Sequence, residues 1–162
     1  MHPVTDADAL VLLSTALASK RRPAELSEII AGIELLQVAV PSATKLVESF
    51  ARLAIHGLLR QHDTAYSLTP AGEGLVADLP SKAAADERLF ILRDTLSQYP
   101  AGTPQAAIVI DAEQVGTAIA AHQAAARQAT HNLLLPKPKP EAGQSRPGQR
   151  ARKPMAAGKR KR

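Results

Sequence analysis

Apolar side chains recur at three- and four-residue spacing through most of the first hundred residues, the period of helices with one buried face. Leu10, Leu13 and Leu17 predict a helix over residues 7–19. Thr5 is placed to cap it, with Asp8 three residues on, near the positive end of the helix dipole. Leu26, Ile29, Ile30 and Ile33 predict a second helix, for which Pro23 suits the first turn. Val40-Pro41 breaks the pattern, because proline lacks a donor and disfavours helix in the residue before it. Ser42 then caps a third helix reaching about His56, with Leu46, Phe50, Leu53 and Ala54 on its buried face. Gly57 suits the left-handed residue after that helix, and Leu58 supplies the accompanying apolar contact.

The period then changes. Leu58-Leu59-Arg60 and Ala65-Tyr66-Ser67-Leu68 read as two short strands around the polar turn Gln61-His62-Asp63-Thr64. Thr69 as cap and Pro70 at the first helical position start a fourth helix carrying Leu75, Val76 and Leu79, which Pro80 stops. Residues 81–98 read as a helix with Leu89, Leu92 and Leu96 on one side. After the break around Pro100 and Pro104, the run Ala106-Ala107-Ile108-Val109-Ile110 is either a strand or an extended packing segment, which periodicity does not decide. Asp111 and Gln114 have capping-box spacing, opening an alanine-rich helix to about His131 with Val115 and Ile119 as its larger apolar side chains.

Three helices, a hairpin and a further helix, with glycine closing the third, is the element order of a winged helix-turn-helix. Two stretches sharpen the likeness. Pro41-Ser42-Ala43-Thr44-Lys45-Leu46 through Arg52-Leu53-Ala54-Ile55-His56-Gly57-Leu58-Leu59 resembles the helix-to-wing passage of MarR/PadR-like proteins. Tyr66-Ser67-Leu68-Thr69-Pro70-Ala71-Gly72 resembles their wing exit. The chain is closer still to small uncharacterised bacterial winged-helix proteins in which Pro-Ser/Thr opens the third helix. The likeness spans about residues 7–79, half the chain. It implies a mainly α fold with a small β-hairpin wing, C-terminal helices that either form a homodimer interface or cover the domain's back, and a transcription-regulator type of function. A fold does not determine what its surface binds.

Composition redistributes the argument. The 162 residues carry a net charge of +5, but residues 136–162 hold ten Lys and Arg against Glu141 alone, a net +9, leaving −4 on the preceding 135. With five prolines, three glycines and almost no apolar side chains, that segment buries too little surface to offset its chain entropy. It is expected to be a disordered Lys/Arg/Pro-rich tail, locally extended at Pro136-Lys137-Pro138-Lys139-Pro140. The organisation read from the chain is therefore a winged-helix domain over 1–80, an appended helical segment over 81–135, and the tail. Absence of cysteine excludes disulfides and thiolate metal sites, and no apolar run approaches the ~20 residues of a spanning helix. The N-terminus lacks a basic segment followed by a long apolar one, so no signal peptide is visible. The expected setting is cytoplasmic, at the nucleoid if DNA-bound.

A recognition helix enters the major groove. With Leu46, Phe50 and Leu53 inward, the expected outward set on the third helix is Ser42, Thr44, Lys45, Glu48, Ser49 and Arg52, all but Glu48 able to donate to bases or phosphates. Lys20, Arg21 and Arg22 before the second helix, and Arg60 and His62 in the wing, are candidate backbone contacts. The tail cations Lys137, Lys139, Arg146, Arg150, Arg152, Lys153, Lys159, Arg160, Lys161 and Arg162 would add salt-sensitive, largely sequence-independent attraction to double-stranded DNA, or to RNA. Without aromatic side chains the tail lacks a stacking platform for single strands, and without an apolar face it would meet a membrane by charge alone. The plain alternative for each of these residues is an ordinary solvated charge. Five histidines without metal-binding spacing, no glycine-rich phosphate loop and no nucleophile elbow give no basis for an enzyme, a metal or a cofactor. His56 and His62 flank the helix-to-wing junction and read as surface residues; Glu25 and Glu28 read as solvated acids. The second expectation is a protein-interaction module tethered to nucleic acid by its tail. The residues indicate neither a cognate sequence nor a small-molecule effector.

Overall fold

The computed structural model describes residues 5–100 and 102–133, the last five as helix backbone only. Its first helix, α1 (Asp6–Ala18), is buried at every position from Ala7 to Thr15. The leucine stripe predicts a single buried face; in fact the helix is apolar almost all round, and such a helix has to be sheathed by its neighbours. The remaining elements are β1 (Ala24–Glu25), α2 (Leu26–Leu35), α3 (Ala43–Ile55), β2 (Leu59–His62), β3 (Ala65–Leu68), α4 (Pro70–Ala77), α5 (Ala85–Gln98) and α6 (Ala112–Leu133). α2, α3, α4, α5 and β3 all pack on α1.

The described chain is mainly helical, with a small antiparallel sheet in the order β1-β3-β2, an arrangement compatible with a winged helix. The sheet has three strands where the sequence predicts two. Pro23 does not open α2; it precedes β1, whose Ala24 pairs with Tyr66 and Glu25 with Ala65. Two residues are too few to display an alternation, so β1 is recognisable only from its partner. Glu25 then precedes α2, and its backbone N–H donates to Glu28 Oε2 at 2.9 Å. The two glutamates are therefore an N-terminal cap rather than idle acids. β2 runs on to His62, which narrows the hairpin turn to Asp63-Thr64, with Asp63 in the left-handed region.

The two stretches that carry the family likeness meet in space. Gly57 has φ 72°; its N–H donates to Ala54 O and the Leu58 N–H to Leu53 O, each at 2.9 Å. This is a Schellman closure, and it needs the left-handed residue. Thr69 locks the closure to the wing exit: its N–H donates to Leu58 O at 3.0 Å and its hydroxyl to Gly57 O at 2.6 Å. The same hydroxyl accepts from Gly72 N–H at 3.2 Å and so caps α4. A side chain at Gly72 would collide with the Leu58 carbonyl, so the crossing requires glycine. Beneath this junction the Phe50 and Tyr66 rings meet edge to face with centroids 4.9 Å apart.

Beyond the wing, α5 starts at Ala85, four residues later than its pattern predicts, because residues 81–84 form a turn. Residues 102–110 are in neither helix nor strand, so the apolar run at 106–110 is a packing segment. Ile108 and Ile110 are buried while Val109 points outward, and Gln105 N–H donates to Ala54 O at 3.0 Å. Asp111 caps α6 by accepting from Glu113 N–H at 3.2 Å, one residue earlier than the predicted partner Gln114. α6 then packs against both α2 and α3, which themselves rest on α1. His122 of α6 meets Glu34 of α2 at 2.9 Å. No helix among the described residues is long and apolar enough to cross a membrane.

Two outcomes follow from this packing. Gly57→Ala forces a Cβ into a left-handed site already pressed by the Thr103 backbone, so the urea midpoint should fall by the equivalent of about 2 kcal/mol. Burial raises the Tyr66 pKa above its ordinary value. The neutral phenol therefore favours the fold fully below about pH 10, and that contribution is lost as pH rises through the folded-state value. Thermal melts between pH 9 and 11 should show Tyr66→Phe losing less stability than the unsubstituted chain.

Candidate nucleic-acid interface

Asp8 occupies the third position of α1, where its carboxylate accepts from the Thr5 backbone N–H at 3.0 Å and the Thr5 hydroxyl at 2.6 Å. Its side chain has no exposed surface. A carboxylate taken out of water needs a counter-charge, and Arg52 of α3 supplies it from 44 residues away. Arg52 Nε donates to Asp8 Oδ1 at 3.1 Å and Nη2 donates to the same oxygen at 3.0 Å. Nη2 also donates to Thr5 Oγ1 at 3.2 Å and to Ser49 Oγ at 3.3 Å. The Arg52 side chain is only 13% exposed, and Ser49 is buried.

Two members of the expected recognition set, Ser49 and Arg52, are thus turned inward. By helical spacing Ser49 lies three residues after Leu46 and four before Leu53, on their own face, and Arg52 is on its flank; that flank of α3 faces the first turn of α1. The sequence did hold a clue, since Asp8 lies within an almost wholly apolar segment and any charge there requires a partner. Ser42, Thr44 and Lys45 remain exposed on the first turn of α3, together with Glu48. Ser42 occupies the cap position without a side-chain capping bond. Lys45 and Glu48 line a cleft of about 440 Å³ with Thr5, Asp6 and Pro41, so the nearest charges to Lys45 include two acids.

The backbone-contact candidates divide similarly. Lys20 and Arg21 are exposed. Arg22 pairs with Glu28 at 2.6 Å across exposed surface, a geometry worth at most about 1 kcal/mol. In the hairpin, Arg60 and His62 lie two residues apart on β2 and so share a face, and both reach Ser67: Arg60 Nε donates to its hydroxyl at 3.0 Å, and His62 Nε2 lies 3.1 Å from it. These bonds orient both side chains along the outer face of the wing. His56, read from the sequence as a surface residue, is buried at the end of α3.

Comparison of the chain with protein-family models, curated proteins and solved structures yields no match. The tail cations from Lys137 to Arg162 and the expectation of disorder lie outside the described residues. Among the described residues, no three His, Asp or Glu side chains gather where they could hold a metal ion. Of the candidate contacts, those that remain exposed are Lys20, Arg21 and Arg22, the first turn of α3, and Arg60 with His62, a thin scatter of positive charge.

Arg52→Ala leaves Asp8 buried without its partner and should lower unfolding free energy by about 3 kcal/mol. Lys45→Ala, at an exposed position, should stay within about 0.5 kcal/mol. The pair Asp8→Leu with Arg52→Met should recover most of the single-variant loss. Equilibrium urea titration of the four proteins checks all three values.

Proposed function

We propose that this is a non-catalytic nucleic-acid-binding protein, a MarR/PadR-like winged helix whose folded part orients the complex and whose C-terminal segment supplies the affinity. The observation that carries the reading is the segregation of charge, +9 on residues 136–162 against −4 on the rest. A cation-rich segment on an acidic body attracts polyphosphate through counterion release while the body contributes little attraction of its own. The element order supports duplex DNA as the target, with Ser42, Thr44 and Lys45 at the groove and Lys20, Arg21, Arg60 and His62 on the backbone. In this reading α5 and the first half of α6 cover the domain's own core, so a homodimer would use the second half of α6.

A second reading, a protein-interaction module tethered to nucleic acid by its tail, is favoured by one specific observation. With Arg52 and Ser49 engaged internally, α3 presents one lysine beside one glutamate, a face as suited to a polar protein surface as to DNA.

Fluorescence anisotropy on a 20-base-pair duplex separates these ideas. Replacing Lys159, Arg160, Lys161 and Arg162 together by glutamine should reduce the slope of log affinity against log salt by about 3 to 4, close to 0.9 for each cation removed. An unchanged slope rejects the tail's role. Lys45→Ala with Arg60→Ala in the full chain should weaken binding roughly ten-fold at constant tail charge if α3 and the wing touch DNA, at about 1 kcal/mol or less per lost contact. Undiminished affinity favours the interaction module.

A further inference from the structure

Tyr66 and Leu68 of β3 are buried, so the alternate residues Ala65 and Ser67 point to the opposite side of the sheet. Register sets Arg60 across from Ser67 and His62 across from Ala65, which puts a guanidinium, a hydroxyl and an imidazole on one surface. Ser67 Oγ is their common anchor: Arg60 Nε donates to it at 3.0 Å and His62 Nε2 lies 3.1 Å away. Nothing among the described residues pairs with the Arg60 Nη atoms or with His62 Nδ1. Arg60 and His62 are exposed, whereas Ser67 is nearly covered. Two basic side chains are thus pinned side by side through one nitrogen each, and their remaining nitrogens are left for a ligand.

A serine hydroxyl has one hydrogen and two lone pairs, and Arg60 occupies one of the lone pairs. With a neutral imidazole whose Nε2 is bare, the hydroxyl hydrogen goes to Nε2. With an imidazolium, Nε2–H donates to the second lone pair instead. The contact survives the change of charge, and in both cases Nδ1–H is a donor left over. The charged groups on this face are Arg60, Glu25 on β1 across Ala65, and Asp63 in the turn. β3 adds none there, and α6 approaches the wing at the uncharged Ala118 beside Thr64. One cation against two carboxylates attracts an anion weakly. Proton uptake by His62 balances the face and sets a second cation beside the first, on the far side of Ala65 from Glu25. A phosphate group, with several oxygens, meets a guanidinium fork and an imidazolium N–H together. It also relieves the repulsion between the two cations, so phosphate and proton reinforce each other's binding.

We propose that Arg60 and His62, held by Ser67, form a proton-gated phosphate site on the outer face of the wing. Arg60 and His62 touch the phosphate, and Ser67 is a positioning residue. The ligand chemistry is a phosphate oxyanion, whether a backbone phosphodiester of duplex DNA or a free phosphate ion. The duplex as its source rests on the proposed nucleic-acid function; the site itself does not. The wing contact strengthens on acidification, while the lysines and arginines of the rest of the chain keep their charge.

Two titrations of the full-length protein test the site. In duplex anisotropy, the slope of log affinity against log salt should steepen between about pH 8 and about pH 5.5. The steepening should be larger by about 0.9 in the unsubstituted chain than in His62→Gln, the effect of one added cation. Ser67→Ala should cut the affinity gain on acidification at least about three-fold, the scale of one exposed charge contact, and Ser67→Thr, which keeps the hydroxyl, should restore it. Separately, inorganic phosphate at about pH 5.5 should shift the NMR signals of the His62 ring and Arg60 Nε saturably in the unsubstituted chain and not in Ser67→Ala. A His62-dependent duplex response without a saturable phosphate shift identifies the backbone phosphodiester as the ligand. A saturable shift without a His62-dependent duplex response assigns the site to free phosphate; if the duplex does not bind at all, the proposed function fails and the site stands. Absence of both responses overturns the site, and so does a Ser67→Ala protein that matches the unsubstituted chain in both titrations.

Discussion

Most of this fold is arranged around a helix whose Ala7–Thr15 stretch has no solvent side, and that stretch contains a carboxylate. α1 can be central only because Asp8 is neutralised where it stands, by Arg52 and by hydrogen bonds from Thr5. The isolated charge would be prohibitively expensive to bury; the pair with its surrounding hydrogen bonds is tolerable. The same contact fixes the rotation of α3 about its axis. With Arg52 and Ser49 committed to the first turn of α1, the helix presents Thr44, Lys45, Glu48 and Ile55 outward.

That rotation decides what the surface has to offer. Under the proposed reading α3 would depend on Lys45 and a few hydroxyls, beside Glu48 and the cleft shared with the α1 N-terminus. Specific affinity from such a face would be modest, and the wing contributes only Arg60 and His62, oriented by Ser67. The proposed division of labour, orientation from the folded part and attraction from the tail, is a consequence of this scarcity of positive charge on the body. The packing of α6 against both α2 and α3 ties the C-terminal part of the described chain to these two helices.

Much of the fold was legible in the sequence where local chemistry decides the outcome. Periodic leucines and isoleucines marked α1, α2, α3 and α5, because amphipathic spacing reports burial directly. Gly57, Thr69 and Pro70 marked their junctions, since a left-handed closure and a first-turn proline admit few other residues. The misses have a common cause. β1 is two residues long and exists only because β3 is beside it. Arg52 is a plausible surface residue until Asp8 is brought across 44 positions to meet it. Pro23, Glu25 and His56 changed roles for the same reason, each being assigned by a neighbour distant in the chain or by an element too short to show a period.

What the sequence alone determined was therefore the set of helices, the hairpin, the glycine-threonine junction and the division of charge between body and tail, all properties of neighbouring residues or of composition. What only the tertiary structure decided was which side chains at the edges of each apolar stripe turn inside, and with them which cations remain on the surface. A helical pattern defines an apolar stripe, but a long flanking side chain at its edge goes either to solvent or to a buried partner. That choice is made by the electrostatics of another element, and here the desolvated carboxylate of Asp8 made it for Arg52.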